Sequence, residues 1–189
     1  FYGHPSRRLH VAAVTGTNGK TTVSQLLAQM LRHAGYACGV VGTLGTSLDG
    51  QVETATHTTP GALDLQATLA EWAAAAVPFA SLEASSHALH QDRLAGLEVD
   101  TAIFTDVTRG HLDYHGDMEA YFQAKRRLFT LHPDSPAAIN ADDEAGRRLL
   151  AERPGAWAYS AAGDASAAVR ATDVDLRFDG MTVHAQTPV

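Results

Sequence analysis

The string VTGTNGKTT, from Val14 to Thr22, sets two glycines, a lysine and two threonines where they can hold a polyphosphate. Gly16 and Gly19 can take backbone angles closed to other residues, and without side chains they let main-chain N–H groups approach an anion. A helix starting near Lys20 adds free N–H groups and the positive end of its dipole. Lys20 supplies a charge that reaches the outer phosphates, and the Thr21 hydroxyl can bind an accompanying Mg²⁺. The usual phosphate-loop pattern needs a glycine five residues before Gly19. That position is Val14, so the match is to a shorter form, GxxGK[ST]. A plain strand-to-helix turn is the alternative. The order of strand, turn and helix favours a nucleoside triphosphate held by Gly16, Thr17, Asn18, Gly19, Lys20, Thr21 and Thr22.

Three further positions could do chemistry. Glu83 ends the apolar run FASLE, and ligands of open parallel sheets bind at the carboxyl ends of strands. A carboxylate there can hold Mg²⁺. HLDYHG offers His111, Asp113 and His115, an alternation that also suits zinc, although a lone loop histidine is commonly a polar surface group. Lys125 stands mid-helix in the segment 117–131, between Tyr121 and Phe129 and one turn from each. Physics alone reads it as an ordinary helix lysine, yet burial would lower its pKa and expose a neutral amine. Asp142 and Asp143 read as caps of a following helix.

These residues need a scaffold. HVAAVTG, CGVVGT, FASLEA, TAIFTDV and AAINA read as strands. Residues 21–33, 62–76 and 117–131 read as helices, as does DDEAGRRLLAER. Leu26, Leu27, Met30 and Leu31 would form the apolar face of the first, and Met118, Tyr121, Leu128 and Phe129 that of the third. Residues 44–61 are rich in Gly and Thr and read as a loop. Strands alternating with helices imply parallel βαβ units with right-handed crossovers. VDLRF and MTVHA flank Asp179-Gly180, a two-residue hairpin signal. The fold expected is α/β, of P-loop type: a mostly parallel sheet flanked by helices, with a small antiparallel hairpin near the C-terminus. Residues 1–9 read as an interdomain linker and 10–189 as an ATP-binding central domain, expected to be incomplete.

At 189 residues with 45% hydrophobic content, the chain can bury a core. Its net charge of −7 argues against a general nucleic-acid or anionic-membrane surface. Cys38 is the one cysteine, which excludes an internal disulfide and suits a cytoplasmic location. No apolar run approaches the roughly 20 residues of a membrane span.

VTGTNGKTT resembles the ATP-binding loop of the Mur ligases and folylpolyglutamate synthetases. FYGHPSRRLH, HTTP at His57 to Pro60, LEASSHALHQDR and HLDYHGDMEAYFQAKRRLF resemble the tripeptide-synthetase (MurE) branch of that family, from Phe1 to about Arg148. The resemblance implies the central domain of a three-domain, monomeric enzyme. It implies ATP and Mg²⁺ as cofactors, with Glu83 and His111 as metal ligands beside Thr21. It implies that Lys125 is carbamylated by CO₂, an anion supporting a second Mg²⁺, and that Lys20, Glu83, His111 and Lys125 are the catalytic set. Thr58, Thr59, Ser85, Gln91 and Arg93 match positions that hold the nucleotide-sugar dipeptide. The family commonly reads Asn and Asp where this chain has Asp106 and Gly110, and often Asn at His57.

The activity so implied is an ATP-dependent amide ligation. The D-glutamate carboxylate of UDP-MurNAc-L-Ala-D-Glu becomes an acyl phosphate, which the amine of a diamino acid, diaminopimelate or lysine, then attacks during peptidoglycan synthesis. The fragment alone is expected to be inactive as a ligase. Rival readings are another Mur or folylpolyglutamate-type ligase, against which HTTP and HLDYHG argue, and a regulatory P-loop NTPase.

Overall fold

The computed structural model describes residues 1–48, 50–54 and 56–188. Residues 49 and 55, within the stretch read as a loop, and residue 189 lie outside the described residues.

A ten-stranded sheet organises the chain, in the order β10-β9-β8-β7-β6-β1-β5-β2-β3-β4. Its centre is β1 (His10–Thr15), between β5 (Phe79–Glu83) and β6 (Thr101–Phe104). Next come β2 (Cys38–Gly42) on one side and β7 (Ala137–Asn140), then β8 (Trp157–Ser160), on the other. All these pairings are parallel. Val14 lies opposite Glu83, and Thr15 opposite Phe104. The register therefore puts the loops after β1, β5 and β6 on one edge.

Six helices fill the crossovers: α1 (Lys20–His33), α2 (Ala62–Ala74), α3 (Ser86–His90), α4 (Leu112–His115), α5 (Met118–Leu131) and α6 (Glu144–Glu152). The small core under α1 joins Ala28 to Cys38 and Val40. The larger core joins Val41 and the central strands to Leu65, Leu69 and Trp72 of α2 and to Leu128 and Phe129 of α5. Alternation along β2 sends Val40 to one core and Val41 to the other.

Several expectations change. The buried line of α1 is Ser24 and Ala28, while Leu26 and Met30 are 53% and 70% exposed. Ala28 packs on Cys38 and Val40, and such an approach favours small residues over leucine. Met118 likewise is partly exposed at the head of α5. Residues 44–61 are not all loop: β3 (Gly45–Leu48) and β4 (Gln51–Glu53) extend the sheet antiparallel from β2. The C-terminal hairpin forms, as β9 (Val169–Arg177) and β10 (Gly180–Gln186). It is the sheet's own margin, because β9 pairs parallel with β8. Pro5–Arg8 form a 3-10 turn with Pro5 and Ser6 buried, and the Ser6 hydroxyl accepts from Glu98 N–H. Asp143 caps α6 by accepting from Gly146 N–H. Asp142 does not; it accepts from the Ser160 hydroxyl and the N–H groups of Ala161 and Ala162.

Candidate active site

The turn after β1 is built on positive φ angles at Gly16 (153°) and Gly19 (80°). A Cβ on Gly16 would stand 1.7 Å from Thr105 Oγ1, so only glycine lets the chain pass β6 here. The first intrahelical bond of α1 runs from Val23 N–H to Gly19 C=O. The N–H groups of Lys20, Thr21 and Thr22 precede it and have no carbonyl behind them. They form the anion-facing end of the helix.

Two lysines converge on one carbonyl. Lys20 Nζ donates to Gly16 O at 2.9 Å and to Thr17 O at 2.9 Å. Lys125 Nζ, on α5, donates to the same Gly16 O at 2.6 Å and lies 4.3 Å from the centre of the Tyr121 ring. Lys125 is 1% exposed. Burial, with the Lys20 charge adding to it, pulls its pKa down to about 7 against the opposing pull of Asp106. Burial also lowers the pKa of Lys20, opposed by Glu83 and Asp106. Two ammoniums sharing an acceptor is a demand for negative charge.

Glu83 is 1% exposed at the end of β5. Its Oε2 accepts from the Thr21 and Thr43 hydroxyls, both at 3.0 Å, and its Oε1 from Thr43 N–H at 3.0 Å. A Cβ on Gly42 would fall 2.1 Å from Glu83 Oε1, so that glycine makes room for the carboxylate. A carboxylate and two hydroxyls at the head of a phosphate-type loop are hard oxygen donors, which suit Mg²⁺. No three of His, Cys, Asp and Glu gather as a metal cage among the described residues. A cation here would draw its remaining ligands from phosphate and water, the usual habit of Mg²⁺.

His111 is exposed, with φ 51°, at the start of α4. Its ring lies 5.0 Å from that of His87 and 6.0 Å from that of Tyr121. His115 instead contacts the Ser86 hydroxyl at 3.0 Å. Thr58 is half-buried, its hydroxyl 3.1 Å from that of Thr43. Thr59 is buried: its hydroxyl donates to Glu83 O at 2.7 Å and accepts from Ser85 N–H at 3.2 Å. The Ser85 hydroxyl caps α3. Arg93 Nη1 donates to Thr59 O, and its Nε and Nη2 donate to Gln91 Oε1. Thr59, Ser85, Gln91 and Arg93 thus form one bonded group beside Glu83, and Thr58 reaches Glu83 through Thr43. Within it the side chain of Thr59 is an internal strut.

Two residues given no role by the sequence belong here. Thr43 grips Glu83 by both its N–H and its hydroxyl; its signal was its place just past CGVVG, at the same sheet edge. Asp106 bonds to the tip of the phosphate-type loop, and nothing in composition or spacing pointed to that.

A family model described as the Mur ligase middle domain matches residues 14–188. The chain belongs to the Mur ligase family. A protein of Ectopseudomonas mendocina (strain ymp) named UDP-N-acetylmuramoyl-L-alanyl-D-glutamate–2,6-diaminopimelate ligase is 47% identical over 190 residues, 100% of this chain and 39% of that protein. A protein of the same name from Pseudomonas aeruginosa (strain PAO1) is 53% identical over 152 residues, 80% of this chain and 31% of its own length. A solved structure of an enzyme of that name superposes with a TM-score of 0.85 at 38% identity, covering 95% of this chain and 37% of its own. This Mur ligase middle domain therefore spans about two fifths of the length of the curated relatives it matches. No helix among the described residues is long and apolar enough to cross a membrane.

Proposed function

We propose that this domain is the ATP-binding centre of a ligase joining an amino acid to UDP-MurNAc-L-Ala-D-Glu, and that the amino acid is diaminopimelate. The relatives' names support the acceptor and the amino acid. The observation that carries the reading is the single cluster of Lys20, the unpaired amides heading α1, and the buried Glu83 held by Thr21.

The chemistry follows from charge. A carboxylate is a poor electrophile, so ATP first makes its oxygen a leaving group. The acceptor's D-glutamate oxygen attacks the γ-phosphorus and ADP leaves. The amine nitrogen then attacks the acyl carbon, phosphate departs and the nitrogen loses a proton. Charge grows on the transferring phosphoryl group, and Lys20 with the amides of Lys20, Thr21 and Thr22 opposes it. Mg²⁺, when bound, adds charge neutralisation on the phosphates, and Glu83, Thr21 and His111 are the residues that would hold it. Thr58, Ser85, Gln91 and Arg93 present hydroxyl, amide and guanidinium groups to a ligand bearing carboxylates and pyrophosphate.

Lys125 fits the same scheme as a carbamate. Its neutral amine attacks CO₂, a C–N bond forms and a proton is released. The product replaces an ammonium beside Lys20 with an anion able to support a second cation.

Phosphate release by the full-length enzyme tests the reading. It should require both the nucleotide-sugar dipeptide and diaminopimelate. Turnover without either substrate would establish a nucleotide switch instead.

A further inference from the structure

Thr17 and Asn18, at the tip of the loop, are turned away from the helix start and bonded to the segment that follows β6. The Asp106 carboxylate accepts from Thr17 N–H at 3.1 Å and Asn18 N–H at 2.7 Å through Oδ1, and from Asn18 Nδ2 at 2.9 Å through Oδ2. The Asp106 carbonyl also accepts from Thr17 N–H at 2.9 Å. The neighbours of Asp106 reinforce this. The Thr105 hydroxyl donates to Asn18 O at 2.6 Å, and Asn18 Nδ2 donates to Thr108 Oγ1 at 3.1 Å. Thr108 N–H donates to Thr17 Oγ1 at 3.0 Å.

We propose that Asp106 is a positioning residue for nucleotide: its carboxylate staples the loop tip to β6 and leaves the amides of Lys20, Thr21 and Thr22 for phosphate. A carboxylate accepting amide N–H groups could instead be an internal rival of phosphate. The pattern favours the staple. Apart from a contact with the neighbouring Thr105 hydroxyl, the bonds of the Asp106 carboxylate fall on residues 17 and 18, not on the helix-start amides. Thr105 and Thr108 would hold the same tip in place even if the carboxylate swung out. The staple also explains why a charge sits here. Its charge favours the ammonium form of Lys20 and of Lys125, against the burial that lowers the pKa of both. A charged acceptor makes stronger hydrogen bonds than a neutral one. The chain from Asp106 runs directly to His111, so the loop and the proposed metal segment share an anchor.

The inference rests on the nucleotide reading above, and its test separates the two. In the full-length enzyme, amide hydrogen exchange without nucleotide should show Thr17 and Asn18 protected. Asp106→Ala should remove the protection of Asn18, whose N–H bonds to the carboxylate, and leave that of Thr17, whose N–H keeps the residue 106 carbonyl. ADP binding to Asp106→Ala should weaken about tenfold, because nucleotide must then order a loop tip that the carboxylate no longer holds. The KM for ATP should rise in step, with kcat and the KM of the nucleotide-sugar dipeptide within about threefold of wild type. Asp106→Asn should recover part of the affinity. Its amide oxygen can still accept from Thr17 and Asn18, whereas its NH₂ meets another donor at Asn18 Nδ2. Tighter ADP binding by Asp106→Ala would overturn the staple in favour of a rival anion. Unchanged exchange at Asn18 would overturn it outright. A wild-type enzyme that binds no ADP would instead overturn the nucleotide reading, and the exchange measurement would still decide the staple.

Discussion

Lys125 concentrates the chemistry at the level of single residues. It is buried, it donates to the carbonyl that Lys20 also uses, and its pKa falls to about 7. If the carbamate forms, Lys125→Ala in the full-length enzyme should lose activity severely. Acetate or formate should restore part of it, because alanine opens space for a small acid in the carbamate's place. Activity is measured with and without acid at fixed pH and ionic strength; rescue by methylamine would show that a cation was needed. The unmodified amine makes a second prediction. Between about pH 7 and the unfolded value of 10.5, the unfolded chain binds a proton at Lys125 that the folded chain does not. Stability should therefore rise with pH across that window on account of this residue. Denaturant midpoints in CO₂-free buffer should show the rise, and Lys125→Met should flatten it. Lys20→Ala should cost on the order of 3 kcal/mol or more in transition-state stabilisation and leave circular dichroism unchanged. The loop residues were legible because GxxGKT carries its mechanism in its spacing. Lys125 was not legible by physics alone. A lysine at helical spacing reads as solvent-facing, and its burial depends on where α5 lies against β1, which is a long-range fact.

Elements were legible where a local period or a turn signal was strong. The parallel strands read as apolar runs, and Asp179-Gly180 marked the C-terminal hairpin. Residues 44–61 were misread because Gly45 and Gly50 read as turn residues and outweighed the strand preference of Thr46 and Val52, and β3 and β4 gain their order from the edge of β2. Strand β8 passed unnoticed because it is short: four residues, WAYS, hold no alternation to count. Close packing between elements leaves a sharper mark in the glycines. A Cβ on Gly146 of α6 would lie 1.9 Å from Asn140 O of β7. Backbone cannot yield there as a side chain can, so Gly146→Ala should destabilise by about 3 kcal/mol. The shift should appear in the urea midpoint with an unchanged slope. Gly42→Ala is different in kind, because the atom it meets is Glu83 Oε1 at 2.1 Å. Displacing that carboxylate should cost activity at least tenfold while stability falls by about 2 kcal/mol. An active Gly42→Ala enzyme would separate Glu83 from the chemistry.

At the scale of the whole molecule, one sheet edge collects the phosphate-type loop, Glu83 and the His111 segment. They come from separate crossovers of a parallel sheet, and its register aligns their ends. This gathering is what an open α/β sheet does at the carboxyl ends of its strands, and it explains why a reading by motif recovered the site without its internal bonds. The same scale separates binding from ligation. The residues proposed for phosphate and Mg²⁺ lie within these 189 positions, whereas the curated relatives named as ligases are about two and a half times as long, as the 39% share implies. A ligation needs the acceptor's uridine end and the incoming amino acid held as firmly as ATP, since proximity supplies much of the rate. The 189-residue chain by itself should therefore bind ADP, lose that binding on Lys20→Ala, and form no tripeptide. Calorimetry with ADP and chromatography of the nucleotide-sugar products check both halves. Tripeptide made by the isolated chain would mean that the uridine and amino-acid contacts also lie on this domain, and the division of labour argued here would fail.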